Sequence, residues 1–269
     1  EMMKKLMILF FIFPAFFIFA KQLEIVATST HIGCCVKEIG KSKVNVTILI
    51  PPGICPGHYE IKPGDLKKLC NNGILLYHGW EGFIDDISKA VENTGAKIFR
   101  LDVEGNWNIP EVQIKAGEKI THIMVSIDPS NKEFYEKNLI SYKKKMTALD
   151  RKIKNFISAN KLSTVPVIAS KMQQDFLNYL GFNIAGTFGR DEEISPGNIT
   201  ELINKAKTYN VKMIVSNLQS GTSTGEMLSR KTKLPHVILS NFPGGFERTD
   251  NVEATIMKNL ELIRNAINR

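Results

Sequence analysis

The chain has 269 residues, enough for one or two domains with a full hydrophobic core, and its 35 lysines and arginines against 27 aspartates and glutamates leave a net charge of +8. That surplus is spread out, its densest run being the three lysines at 143 to 145 in a helical stretch; with no basic face interleaved with aromatics, nucleic acid is excluded as a ligand. The cysteines, Cys34, Cys35, Cys55 and Cys70, all fall in the first quarter of the chain, and a core of this size needs no disulfide scaffold.

In chain order, Lys4 and Lys5 precede an apolar run from Leu6 to Ala20 that reads as a secretory signal, with a charged start and an apolar centre. The run is short for a membrane span and Pro14 breaks it, which favours an export signal, with cleavage expected after Ala20, over the alternative of a retained anchor. No cysteine follows closely enough to take a lipid. The mature chain is expected to be a soluble monomer in the periplasm or another extracytoplasmic space.

LEIVATST (23–30) is a β-branched strand, HIGCCVKEIG a helix closed by Gly40, and VNVTILI a second strand. The loop PPGICPGHYEIKPGDL (51–66) follows, rich in proline and glycine, which hold a fixed non-repetitive path and carry Cys55 and His58 as soft metal donors. DLKKLCNN is a short helix, GILLYHG a strand ending at His78, FIDDISKAVENTG a helix and AKIFRL a strand. The second half repeats the alternation, with strands in VPVIAS, NIAGTF, VKMIVSN and HVILSN and helices in QQDFLNYLG, ITELINKAKTYN and GEMLSRKT. Such alternation predicts parallel sheets with helices on their faces.

Two features set the organisation. IKPGDLKKL (61–69) matches ISPGNITEL (194–202) at the proline, the glycine and the Asp or Asn helix cap, which suggests two lobes of similar design. Between them Tyr135, Leu139, Tyr142, Met146, Leu149, Ile153 and Phe156 recur at alternating spacings of four and three, one continuous apolar stripe along a helix. The expected fold class is therefore α/β, two Rossmann-like lobes with parallel sheets joined by a single long backbone helix and a cleft between them. The expected divisions are a signal at 1–20, a first lobe at 21–129, the linking helix at 130–160 and a second lobe at 161–269.

This combination resembles the solute-binding proteins of zinc and manganese ABC importers. The resemblance runs over about residues 23–265 and is carried by IVATSTHIGCCVKEIG, CPGHYEIKPGDLKKL, YHGWEGFIDD, DPSNKEFYEKN and NVKMIVSNLQS. It implies a zinc or manganese ion as transported ligand and an ABC permease in the membrane as partner. Four departures fall on the metal-binding motifs. Where the family's Asp-Pro-His-x-Tyr-Glu motif has its histidine stands Gly57, with His58 one place along; two residues before Trp107 stands Gly105; the third position falls among Ser170, Lys171, Met172 and Gln173, and the fourth at Ser240 or Asn241.

A transition metal wants three or four N, S or O donors, and Cys55, His58 and His78 are the candidates the residues offer. A Cys55–Cys70 disulfide would compete with that role. His31, His122 and His236 read as structural or exposed. The two glycines also widen the cleft, while Tyr59, Trp80 and Trp107 offer flat surfaces and Gln173, Asn217 and Asn241 neutral hydrogen bonds, a set that suits a chelated metal or cofactor-sized organic ligand. A thiol enzyme built on Cys55 with His58 or His78 is the remaining alternative; G-x-S-x-G, H-E-x-x-H and a glycine-rich phosphate loop are all absent, and the chain is expected not to be an enzyme.

Overall fold

A computed structural model describes residues 22–70 and 73–268. The expected signal at 1–20 lies outside the described residues.

The first lobe runs β1 (Leu23–Ala27), α1 (Thr30–Gly40), β2 (Val44–Ile48), α2 (Pro63–Leu69), β3 (Ile74–Tyr77), α3 (Ile84–Val91) and β4 (Lys97–Arg100). Two long helices follow, α4 (Pro110–Ile127) and α5 (Lys132–Asn160). The second lobe runs β5 (Pro166–Ser170), α6 (Gln174–Tyr179), β6 (Asn183–Phe188), α7 (Pro196–Thr208), β7 (Met213–Asn217), α8 (Ser223–Thr232), β8 (His236–Leu239) and α9 (Val252–Ile267). Each lobe holds one parallel four-stranded sheet, and the strand orders match: β2-β1-β3-β4 in the first, β6-β5-β7-β8 in the second. The central pairs match as well, Val26 pairing with Leu75 in one sheet and Ile168 with Ile214 in the other, whereas β5–β6 shifts register between Val167 and Ile168 and β1–β2 does not.

The repeated helix start has a physical basis in both lobes. Pro63 and Pro196 open α2 and α7, where a missing N–H costs nothing. The Asp65 carboxylate then accepts from the Lys62 N–H at 3.1 Å, and the Asn198 side chain accepts from the Ser195 N–H at 3.2 Å. Both helices lead into the third strand of their sheet.

At about 1.5 Å per residue, the 29 residues of α5 make a rod of about 43 Å. Tyr135, Tyr142, Met146, Leu149 and Ile153 of the expected stripe are buried, and Leu139 and Phe156 are partly buried against the same core. That core is continuous: it takes Ile25 and Leu76 from the first sheet, Val167 and Val215 from the second, and the helices between. A rod bonded into both lobes limits how far they can hinge.

Two helices of this frame carry no clear periodic signal in the sequence. α4 packs along α5, where Tyr142 donates to the Gln113 carbonyl at 2.7 Å, and its buried face includes Gln113, Gly117 and Thr121, which break an apolar stripe. Gly117 sits where the helices touch, a Cβ there lying 3.1 Å from the Tyr142 ring. α9 covers the second lobe with Val252, Ile256, Leu260 and Ile263, interrupted by buried Thr255 and Asn259.

Candidate functional site

A cavity of 460 Å³ opens where the C-terminal ends of the two sheets face each other. Strands of a parallel sheet end in loops on one side, so residues just beyond β1 and β3 meet residues just beyond β5, β7 and β8.

The first-lobe wall is aromatic. His78, just past β3, stacks on Trp80 with ring centres 4.9 Å apart and meets the Trp107 ring edge-on at 4.3 Å. A buried carboxylate fixes this turn. Glu81 accepts from the backbone N–H groups of His78, Gly79 and Trp80 and from the Thr28 hydroxyl, at 2.6–3.2 Å. Gly105 turns into the wall at φ 101°, a conformation costly for any side chain.

Both wall histidines are buried. His31 donates from Nε2 to the Asn241 carbonyl at 2.5 Å and accepts at Nδ1 from Gln113 at 2.9 Å. Burial, then the neighbouring His78, push its pKa down to about 3. His78 is lowered to about 3 by burial alone. Its Nε2 bonds the Ser29 hydroxyl at 2.7 Å, and its Nδ1 has no partner. Both imidazoles are neutral at pH 7.

The second-lobe wall is made of amides and cations. Gln173, fully buried, donates to the Asn217 and Asn241 side-chain carbonyls at 3.0 and 3.1 Å and so holds both at the cavity edge. Lys171 and Met172 follow β5 and line the cavity, as do Arg190 and Asp175. The lobes are also bonded beside the cavity, Asn106 to Asn241 at 3.2 Å, Asn108 to the Ser240 carbonyl at 3.0 Å and Gln219 to the Pro52 carbonyl at 2.7 Å.

Of the residues singled out in the sequence, Cys55, His78, Trp80, Trp107, Asn217 and Asn241 line the cavity. Gln173 lies behind them. Tyr59 points elsewhere, donating to Asp65 at 2.7 Å and packing on Phe83, because its hydroxyl serves the start of α2. His58 is exposed at the rim, 3.2 Å from Glu192. The expected donor set Cys55, His58 and His78 is thus not assembled, and no group of three His, Cys, Asp or Glu side chains placed to hold a metal occurs among the described residues. All four thiols are free, Cys70 donating to the Leu66 carbonyl, so the Cys55–Cys70 bridge does not form. His31 and Arg190 are site residues that the sequence reading did not place here. The one signal for His31 was its position just past β1.

Comparison with known proteins fits this architecture to one family. The family described as zinc-uptake complex component A, periplasmic (ZnuA), matches residues 25–266. The chain belongs to that family. Among curated relatives, the metal ABC transporter substrate-binding lipoprotein ScbA of Streptococcus cristatus is 23% identical over 93% of this chain and 90% of its own length. The manganese ABC transporter substrate-binding lipoprotein PsaA of Streptococcus anginosus is 26% identical over 80% of this chain and 78% of its own. Among solved structures, the periplasmic zinc-binding protein TroA of Treponema pallidum superposes with a TM-score of 0.80 at 15% identity, covering 92% of this chain and 100% of that one. At that identity the likeness speaks to the fold, two lobes on a long helix. The ZnuA family is one of transport substrate-binding proteins, and membership places this chain among the substrate-binding components of metal ABC importers.

Proposed function

We propose that this chain is exported by its N-terminal segment, works as a monomer, captures its cargo between the two lobes and hands it to an ABC permease in the membrane. The observation that carries the reading is the cleft itself: two sheets of identical order present their C-terminal ends to one another across a polar and aromatic cavity. A stiff helix running through both cores suits a receptor that makes a small closing movement and then presents a fixed face to a permease. Among the described residues no helix is long and apolar enough to cross a membrane.

The cargo follows the metals of the relatives, zinc or manganese. A second reading, that the metal arrives already chelated, is favoured by one observation. Among the positions the resemblance assigns to metal ligands, Gly57 and Gly105 cannot donate a side chain, and the thiol of Cys55, Nδ1 of His78 and the carboxylate of Asp175 line the cavity without forming one metal-holding group among the described residues. Uptake of radioactive zinc and manganese by cells with and without this chain tests the transport reading in either form. Reduced uptake of one metal is expected on deletion, with recovery when the chain is restored. Unchanged uptake of both would end it.

A further inference from the structure

Among the residues lining the cavity, two carry a buried side-chain nitrogen that the protein leaves without a partner, one on each lobe. The Nδ1 of His78 is buried without a hydrogen-bond partner, and so is the Nε of Arg190. Arg190 lies beyond β6, yet its Nη2 reaches across the cleft to the space above Gly57, 2.9 Å from where a Cβ on that glycine would sit. The guanidinium thus stands where the resemblance would put a metal-ligand histidine. Its Nη1 is bound to Glu193 at 3.1 Å. The opposite edge, Nε with Nη2, is the one that takes a carboxylate in two parallel bonds. Lys171 lines the same cavity, and Asp175 is the one carboxylate among the lining residues. With Glu193 already paired to Arg190, the two cations are matched by two carboxylates, so what the second lobe offers an anion is the directed edge of the guanidinium and not a surplus of charge.

The facing wall is flat. Trp80 is 55% exposed although it stacks on His78, so its outer face is open to the cleft. A large indole held there by the Glu81 turn is a platform for a second ring.

We propose that the cargo is a planar aromatic or heteroaromatic acid, which carries its metal as a chelate: the ring stacks on the outer face of Trp80 and an acid group takes the Nε and Nη2 edge of Arg190 beside Lys171. A ring with more than one acidic oxygen can give some to the metal and keep one for Arg190. This rests on the cleft being the cargo site.

The test uses pyridine-2,6-dicarboxylate, its zinc complex and zinc chloride as probes, titrated into the purified protein. Binding is read by tryptophan fluorescence, since Trp80 and Trp107 are the two tryptophans, and by the midpoint of thermal unfolding. The dicarboxylate or its zinc complex should quench the fluorescence and raise the midpoint, while zinc chloride does neither. Arg190→Gln should weaken that binding at least about tenfold, as expected for loss of a charge-assisted bidentate contact. Trp80→Ala, at an exposed position, should do likewise without unfolding the protein. The proposal is overturned if zinc chloride binds and Arg190→Gln leaves its affinity unchanged, or if neither form of the dicarboxylate moves either readout. A zinc chloride response abolished by His78→Ala would remove the ligand class and leave the cleft as the cargo site. A response that survives Arg190→Gln, Trp80→Ala and His78→Ala alike would remove the cleft as well.

Discussion

The two lobes share a backbone plan and differ in chemistry at matched places. After the first strand of each sheet a serine caps the next turn, Ser29 accepting from the Ile32 N–H and Ser170 from the Met172 N–H, both at 3.4 Å. Two residues past that serine the first lobe has His31, 2% exposed, and the second has Met172, 40% exposed. After the third strand, the first lobe ties its turn with the Glu81 carboxylate and the second with Asn217 donating to Ser220 at 3.1 Å. The central strand pairing and helix capping repeat because they depend on backbone bonds and a few turn residues. The side chains aimed into the cleft are free of that constraint, so one wall became aromatic and neutral and the other amide and cationic.

The backbone side of this comparison predicts equal effects from equal positions. Leu75 on β3 and Ile214 on β7 hold the same place in their sheets, are fully buried, and belong to separate apolar clusters on the outer sheet faces. Leu75→Ala and Ile214→Ala should each cost about 2–5 kcal/mol in urea unfolding. The two should add to within about 0.5 kcal/mol. A coupling well beyond that would show that the outer clusters are not independent, and the lobes would be one unit with a repeated drawing.

The turns after the third strands should respond unequally. Glu81 receives four donors and is itself acceptor-only, so Glu81→Gln turns an amide N–H₂ toward N–H groups. The expected cost is about 2–3 kcal/mol, with a changed Trp80 emission. Ser220→Ala, which removes the bond from Asn217 and a longer one of 3.5 Å back to the Asn217 carbonyl in the matching turn, should cost about 1 kcal/mol in urea unfolding. Equal losses would mean the cleft's aromatic wall needs no special fixing.

Acid should distinguish the lobes next. His31 has a folded pKa of about 3 against 6.5 in the unfolded chain, so as pH falls the unfolded chain takes the proton first. The stabilisation is whole above pH 6.5 and is lost between there and about 3, amounting to about 2 kcal/mol by pH 5. His31→Gln should flatten the stability profile across that window. His236 in the second lobe, half-buried beside Ser216 and also lowered by burial, should flatten it less when replaced by Gln. A steeper effect at His236 would put the larger acid sensitivity in the second lobe.

How much of this was legible depends on which residues carry it. The alternating strands, the α5 stripe and the paired Pro-Gly-Asx starts are local patterns, and all eight strands stand where the sequence places them. α4 and α9 escaped because Gln113, Thr121, Thr255 and Asn259 are buried polar residues that serve hydrogen bonds and interrupt the apolar spacing. The cleft was half legible. Trp80, Trp107, Asn217 and Asn241 lie at strand ends or in turns that short-range patterns locate. Arg190 comes from beyond β6 to sit over Gly57, and no spacing encodes a contact made across two lobes.

The smallest expected effect falls on the residue that the sequence favoured as a donor. His58 Nε2 lies 3.2 Å from Glu192, both side chains more than half exposed, at a rim contact between the lobes. Exposed pairs of this kind contribute about 0–1 kcal/mol, because water screens the attraction and two mobile side chains must be ordered. His58→Ala should therefore shift thermal unfolding by less than about 4 °C. Cargo affinity should change by less than about threefold, since the imidazole is not among the groups lining the cavity. A tenfold loss of cargo affinity in this variant would mean that His58 leaves Glu192 and swings inward when cargo binds, roughly the effect of removing a direct contact. The first lobe would then supply a movable donor as well as a fixed aromatic wall, and the contrast between a neutral lobe and a cationic one would hold only before loading.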